Sequence, residues 1–185
     1  MRKPVYIFLL FIALVASWGA PARADSSPTA VVKRFYDAWA KVSTADPYVP
    51  GSEEKCLEAH RDCFEPGLYA LIMKTWALEK GGQEIEGYDC DPFFWAQTAF
   101  VSPRMGKVVV AGGVVKVMVY ARETRGKGPV GPERLCATAV VRCVKGTWVI
   151  TDILSPGPGS KDSPASLRAF SEMLLAEHAK RAKKP

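Results

Sequence analysis

Apolar positions recur three and four residues apart through residues 28–79, and from Lys107 onward they alternate one by one, so the chain changes texture once along its length. The first period is that of a helix and the second that of a strand with one buried face. Ser27-Pro28 provides an N-cap and a proline at the first helical position. Val31, Phe35, Ala38, Trp39 and Val42 then form one apolar face, opposite Lys33, Arg34, Asp37 and Lys41. Breaks at Asp46-Pro47 and Pro50-Gly51 precede a second helix, read as capped by Ser52, supported by Glu53 and Glu54 and ending near Phe64. Glu65-Pro66 opens a third, carrying Leu68, Leu71, Ile72, Trp76 and Leu78, and Gly81-Gly82 stops it.

Beyond the junction, Lys107–Val110 and Val114–Arg122 form a hairpin around Gly112-Gly113. Val115, Val117, Val119 and Ala121 face the core, while Lys116, Met118, Tyr120 and Arg122 face outward. A third strand over Arg134–Val144 turns at Lys145-Gly146 into a fourth over Thr147–Leu154, where Trp148, Ile150 and Asp152 are read as sharing a face. Residues 155–162 are a Pro/Gly linker, and 163–185 carry a last amphipathic helix with Leu167, Phe170, Met173 and Leu174 on one side, ending in a basic tail. Helices first and an antiparallel sheet of about four strands second make an α+β domain.

The junction is Tyr88–Gln97. Asp91-Pro92 has the grammar of a helix start, which predicts a short helix from Pro92 to about Gln97 capped by Asp91. Phe93, Phe94 and Trp95 are core anchors, but three successive aromatics cannot all point inward on one helical turn, so at least one is exposed or lines a pocket.

Composition adds a compartment. Arg2 and Lys3, an apolar run from Val5 to Ala16, and Ala22-Arg23-Ala24 have the form of a secretory signal over residues 1–24, with cleavage before Asp25. The run is shorter than the roughly 20 residues a membrane span needs, so no transmembrane segment is expected in the mature chain, and aspartate rather than cysteine at position 25 argues against a lipoprotein. The expectation is a secreted, periplasmic protein whose single domain occupies residues 25–154. The formal charge of +6 falls by half when Arg2, Lys3 and Arg23 leave with no acid, and no basic stripe argues for nucleic acid.

Secretion permits disulfides among the five cysteines. Cys136 and Cys143 on one strand would lie about 23 Å apart. Cys56 and Cys63 on one unbroken helix would lie about 10 Å apart. Both exceed the roughly 6 Å between bridged Cα atoms, which leaves Cys90 paired to Cys56 or Cys63. Neither CxxC nor a zinc-spaced Cys/His set is present, and no cofactor or metal is expected. A two-carboxylate cation site at Asp89 and Asp91 is the alternative to a structural turn built from Asp89, Asp91, Pro92 and Phe93.

Three places carry a resemblance: Phe35-Tyr36 with Trp39, Phe64-Glu65-Pro66-Gly67-Leu68, and Asp89-Cys90-Asp91-Pro92-Phe93 followed by Ala96-Gln97. With the closing strand Gly146–Asp152, the chain resembles the nuclear transport factor 2-like (cystatin-like) superfamily and, within it, the bacterial secreted family known as domain of unknown function 3828. The match spans residues 28–154. It departs at Thr98, where an acid is expected, and in the helix after residue 163. The resemblance implies a cone, in which a bent sheet wraps helices around a pocket, and the pocket would be lined by Tyr36, Trp39, Phe94, Trp148 and Asp152.

Some members of the superfamily are acid/base enzymes with a pocket carboxylate, which makes Asp152 the candidate general base of a small hydrolase or isomerase, against the alternative that it bonds a loop amide. His60 reads as a surface or capping residue. The leading expectation is a non-enzymatic module binding a small molecule or an envelope protein in the cone or on the outer row Lys116, Met118, Tyr120 and Arg122, a face that could also pair two copies. An envelope immunity or inhibitor protein is a further alternative.

Overall fold

The computed structural model describes residues 27–47, 49–79, 90–124, 129–157 and 165–183. The signal segment, Asp89, Gly81-Gly82 and Ser163-Pro164 lie outside them. Helix α1 spans Pro28–Ser43, with the Ser27 hydroxyl accepting from the Ala30 amide. Its buried face is Val31, Val32, Phe35, Tyr36, Trp39 and Ala40. Helix α2 is shorter than expected, Ser52–Ala59, and a separate 3-10 turn, Arg61–Cys63, follows it. Its N-cap is Gly51 at φ 77°, a left-handed conformation that glycine adopts without strain, so Ser52 is already the first helical residue. Helix α3, Pro66–Glu79, buries Leu68, Ile72 and Thr75.

Four strands follow: β1 Ala99–Ala111, β2 Val114–Thr124, β3 Glu133–Val144 and β4 Thr147–Leu154. They form one antiparallel sheet in the order β1-β2-β3-β4. β1 begins eight residues earlier than the alternation indicates. Ser102 at φ 54° and Pro103 interrupt its pattern, and both register shifts between β1 and β2 fall between Val101 and Val108. Every strand pair carries a shift, and such bulges bend a sheet.

The curved sheet receives α1, which touches all four strands and buries its aromatic face against Val115, Val117, Val119, Ala137, Ala139 and Ile150. Helix α4, Leu167–Arg181, is capped by Ser166 and packs on α3 and β4. The whole is the α+β architecture expected, consistent with a nuclear transport factor 2-like cone carrying an extra C-terminal helix. Among the described residues no helix is long and apolar enough to cross a membrane.

Two expectations are corrected. No disulfide joins any of the five cysteines, so Cys90 is not stapled to Cys56 or Cys63. Helix α2 ends at Ala59 and Cys63 closes the separate 3-10 turn, so Cys56 and Cys63 do not share the unbroken helix expected of them. The short helix at Pro92 is instead a tight turn over residues 92–95, closed by a main-chain pair in which Asp91 N–H donates to Ala96 C=O at 2.8 Å.

Candidate functional site

The junction turn is built around one carboxyl. Asp91 Oδ1 accepts from the amides of Phe93 (2.8 Å) and Phe94 (3.1 Å), and Oδ2 accepts from Trp39 Nε1 at 2.8 Å. Pro92 is buried, and Trp95 takes φ 51° to bring the chain back to Ala96. The left-handed residue is what prevents a helix here. Phe93 and Phe94 drop into the core, and Trp95 swings out against Phe170 of α4, ring centroids 5.9 Å apart. From α1, Tyr36 donates its hydroxyl to Phe93 C=O at 2.9 Å, and Trp39 packs on Phe93 at 4.5 Å.

Burial pushes the Asp91 carboxyl up to about 6, against the pull of the Trp39, Phe93 and Phe94 hydrogen bonds, and Glu53 adds repulsion in the same direction as burial. Burial also holds the Tyr36 phenol and the Cys56 and Cys136 thiols above their ordinary values. Such thiols lack the thiolate character that nucleophilic cysteines need.

In neither of the two described clefts do the five residues expected to line a cone pocket come together. Tyr36, Trp39 and Phe94 are at most 1% exposed and pack on other rings. Trp148 is half-buried against the same core. Asp152 sits elsewhere. A bulge between Val140 and Val141 opposes Asp152 and Ile150 to consecutive β3 residues, so Ile150 and Ile153 point inward and Asp152 turns away from Ile150. Its carboxylate accepts from Ile153 N (2.8 Å), Ser166 Oγ (2.6 Å) and Arg168 N (3.1 Å), which makes it the anchor of the start of α4. His60 Nδ1 lies 2.9 Å from Cys56 C=O at the end of α2.

A cleft opens on the other side of the Asp91 turn. It has a volume of about 380 Å³ and is lined by Ser43 from the end of α1, Glu53 from the start of α2, and Cys90, Asp91, Gln97 and Thr98 around the turn. Thr98 donates its hydroxyl to the Glu123 carboxylate of β2 at 3.0 Å. A second groove of about 340 Å³ runs between Asp37 and Lys41 of α1, Thr44 just beyond its end, and the bulged segment Val101–Pro103.

Sequence reasoning singled out Asp91 but missed Ser43, Glu53, Gln97 and Thr98. Gln97 and Cys90 belonged to the junction stretch; Ser43 and Glu53 gave no signal, since a serine at a helix end and an acid in a first turn are ordinary local chemistry. On the outer face Lys116 and Arg122 are exposed, while Tyr120 is engaged by the Arg104 guanidinium, 4.9 Å from its ring centre, and covers Gly106. Among the described residues no group of three or more His, Cys, Asp or Glu is placed to hold a metal ion, and Asp89 lies outside them. No protein-family model, no curated protein and no solved structure matches this chain.

Proposed function

We propose that the chain is a secreted, periplasmic binding module of the nuclear transport factor 2-like type, related to the domain of unknown function 3828 proteins, and that it takes a small polar ligand in the cleft beside Asp91. The observation that carries this reading is the cleft itself. Its volume falls in the range of small-molecule sites, and its wall mixes carboxylate, hydroxyl and amide groups. Its floor is a turn braced by three hydrogen bonds and a core of rings, so a ligand meets groups already in place. The acceptor-rich lining favours a ligand that offers N–H or O–H donors. Asp152, the candidate base of an acid/base reading, has its oxygens engaged by the start of α4, and that geometry favours an anchoring role.

The test is a thermal-shift screen of the mature chain, Asp25–Pro185, against small polar metabolites including amines and polyols. A ligand at a hundred times its Kd adds about 2.7 kcal/mol, a rise of a few degrees for a domain of this size. Gln97 is exposed, so Gln97→Trp should fold and block the cleft. The reading predicts a ligand whose shift disappears in Gln97→Trp. Shifts that persist unchanged in that variant, or none across the panel, sink it.

A further inference from the structure

The two edges of the sheet are treated differently. Along β4 the edge is occupied: Phe64 bridges Ile150, Glu65 N–H donates to Ile150 C=O at 2.9 Å, and Ser155 N–H donates to Ala165 C=O at 2.7 Å. β1 is the other edge, and among the described residues no further strand pairs with it. Its first half is guarded by Pro103, which has no N–H to offer, and by two register shifts between Val101 and Val108. Its second half, Val108–Ala111, pairs with β2 without a shift and carries no such guard.

The turn fixes which way the main-chain groups of that half point. Gly112 and Gly113, at φ 58° and 74°, make a two-residue hairpin loop between Ala111 and Val114. Ala111 and Val109 are therefore the residues that exchange ladder bonds with β2, and the N–H and C=O of Val108 and Val110 point out over the edge. The same two valines are 41% and 71% exposed, among the most exposed large apolar side chains described.

We infer that Val108–Ala111 is a strand-addition edge that pairs antiparallel, about Val109, with the same edge of a second copy of this chain. The segment is complementary to itself. In that register Val108 of one copy faces Val110 of the other, each such pair exchanges both main-chain bonds, and four exposed valines lose water contact together. The flanking charges do not oppose it. Lys107 of one copy faces Ala111 of the other, and the two Lys107 positions lie about 14 Å apart along the paired strands. That exceeds the roughly 8 Å over which salt leaves exposed charges interacting. So short an edge buries less than a permanent dimer needs, so the association is reversible and concentration-dependent.

The experiment is sedimentation equilibrium of the mature chain from about 10 µM to about 1 mM, with amide exchange read at Val108 and Val110. A monomer–dimer equilibrium is expected, with both amides gaining protection as concentration rises. Val110→Pro removes an outward N–H without touching a β1–β2 ladder bond, so it should keep the wild-type circular dichroism and weaken association at least about tenfold. Val110→Lys, an edge charge, serves as the second variant should proline perturb the hairpin. Three results would overturn the inference: a wild type that stays monomeric across the range, a folded Val110→Lys that associates as tightly as wild type, or a monomer that instead takes up an extended peptide of foreign sequence at this edge.

Discussion

Asp91 shows how one side chain can be cap, core contact and cleft wall together. A carboxylate holding three donors would ordinarily titrate low, but burial outweighs them and the group sits at about 6. A folded-state value above the unfolded 3.8 means that the native state binds the proton more tightly, so this group's contribution to stability is fully present below about 4 and is lost as pH rises through about 6. The gap of roughly two units corresponds to about 3 kcal/mol. Urea unfolding from pH 4 to 7 should show this decline in the wild type and a flatter profile in Asp91→Asn. Equal slopes would mean that the carboxyl is better solvated than its position suggests. Beneath it, Phe93 is fully buried among Phe35, Trp39 and Phe64. Phe93→Ala should cost about 3–5 kcal/mol in the same assay. A near-normal midpoint would show that the turn is not a core element.

At the level of elements, the C-terminal helix is tied to the domain by a small polar network. Asp152 anchors its first turn, and Arg168 donates to both Glu65 (2.6 Å) and Thr151 C=O (3.0 Å), linking α4 to the start of α3 and to β4. Asp152→Ala removes an acceptor at a helix N-terminus, a change worth about 1–2 kcal/mol. Its expected signature is early hydrogen exchange along Leu167–Arg181, with the sheet amides unaffected. Uniform loss of protection would mean that α4 unfolds only with the whole molecule. The Arg168 guanidinium holds the Glu65 carboxyl below its ordinary range, so this link is complete above that range and weakens as pH falls through the folded-state value. Mild acid should therefore loosen α4 before the sheet.

At the level of the whole molecule, the core holds together without covalent staples. A disulfide typically contributes about 2–4 kcal/mol, so reduction of a bridged form would lower the melting temperature by several degrees. With none of the five cysteines bridged, adding dithiothreitol, or replacing Cys90 by serine, should leave the melting temperature within about 2 °C of wild type. A larger drop under reducing conditions alone would restore the stapled reading. The order of helices and strands, the inward row Val115, Val117, Val119 and Ala121, and the aromatic face of α1 were all legible in the sequence, because periodicity and capping are set by neighbours a few residues apart. The direction of Asp152 was not. A single bulge in β4 reverses the face of every residue after it, and nothing in Ile150-Thr151-Asp152 announces one. The cleft was hidden for a related reason: Asp91 lies far along the chain from Ser43 and Glu53, and only the packing of α1, α2 and the turn brings the three together. Local chemistry determined which elements form, and the register and convergence of distant elements, which depend on contacts no short stretch contains, decided what those elements face.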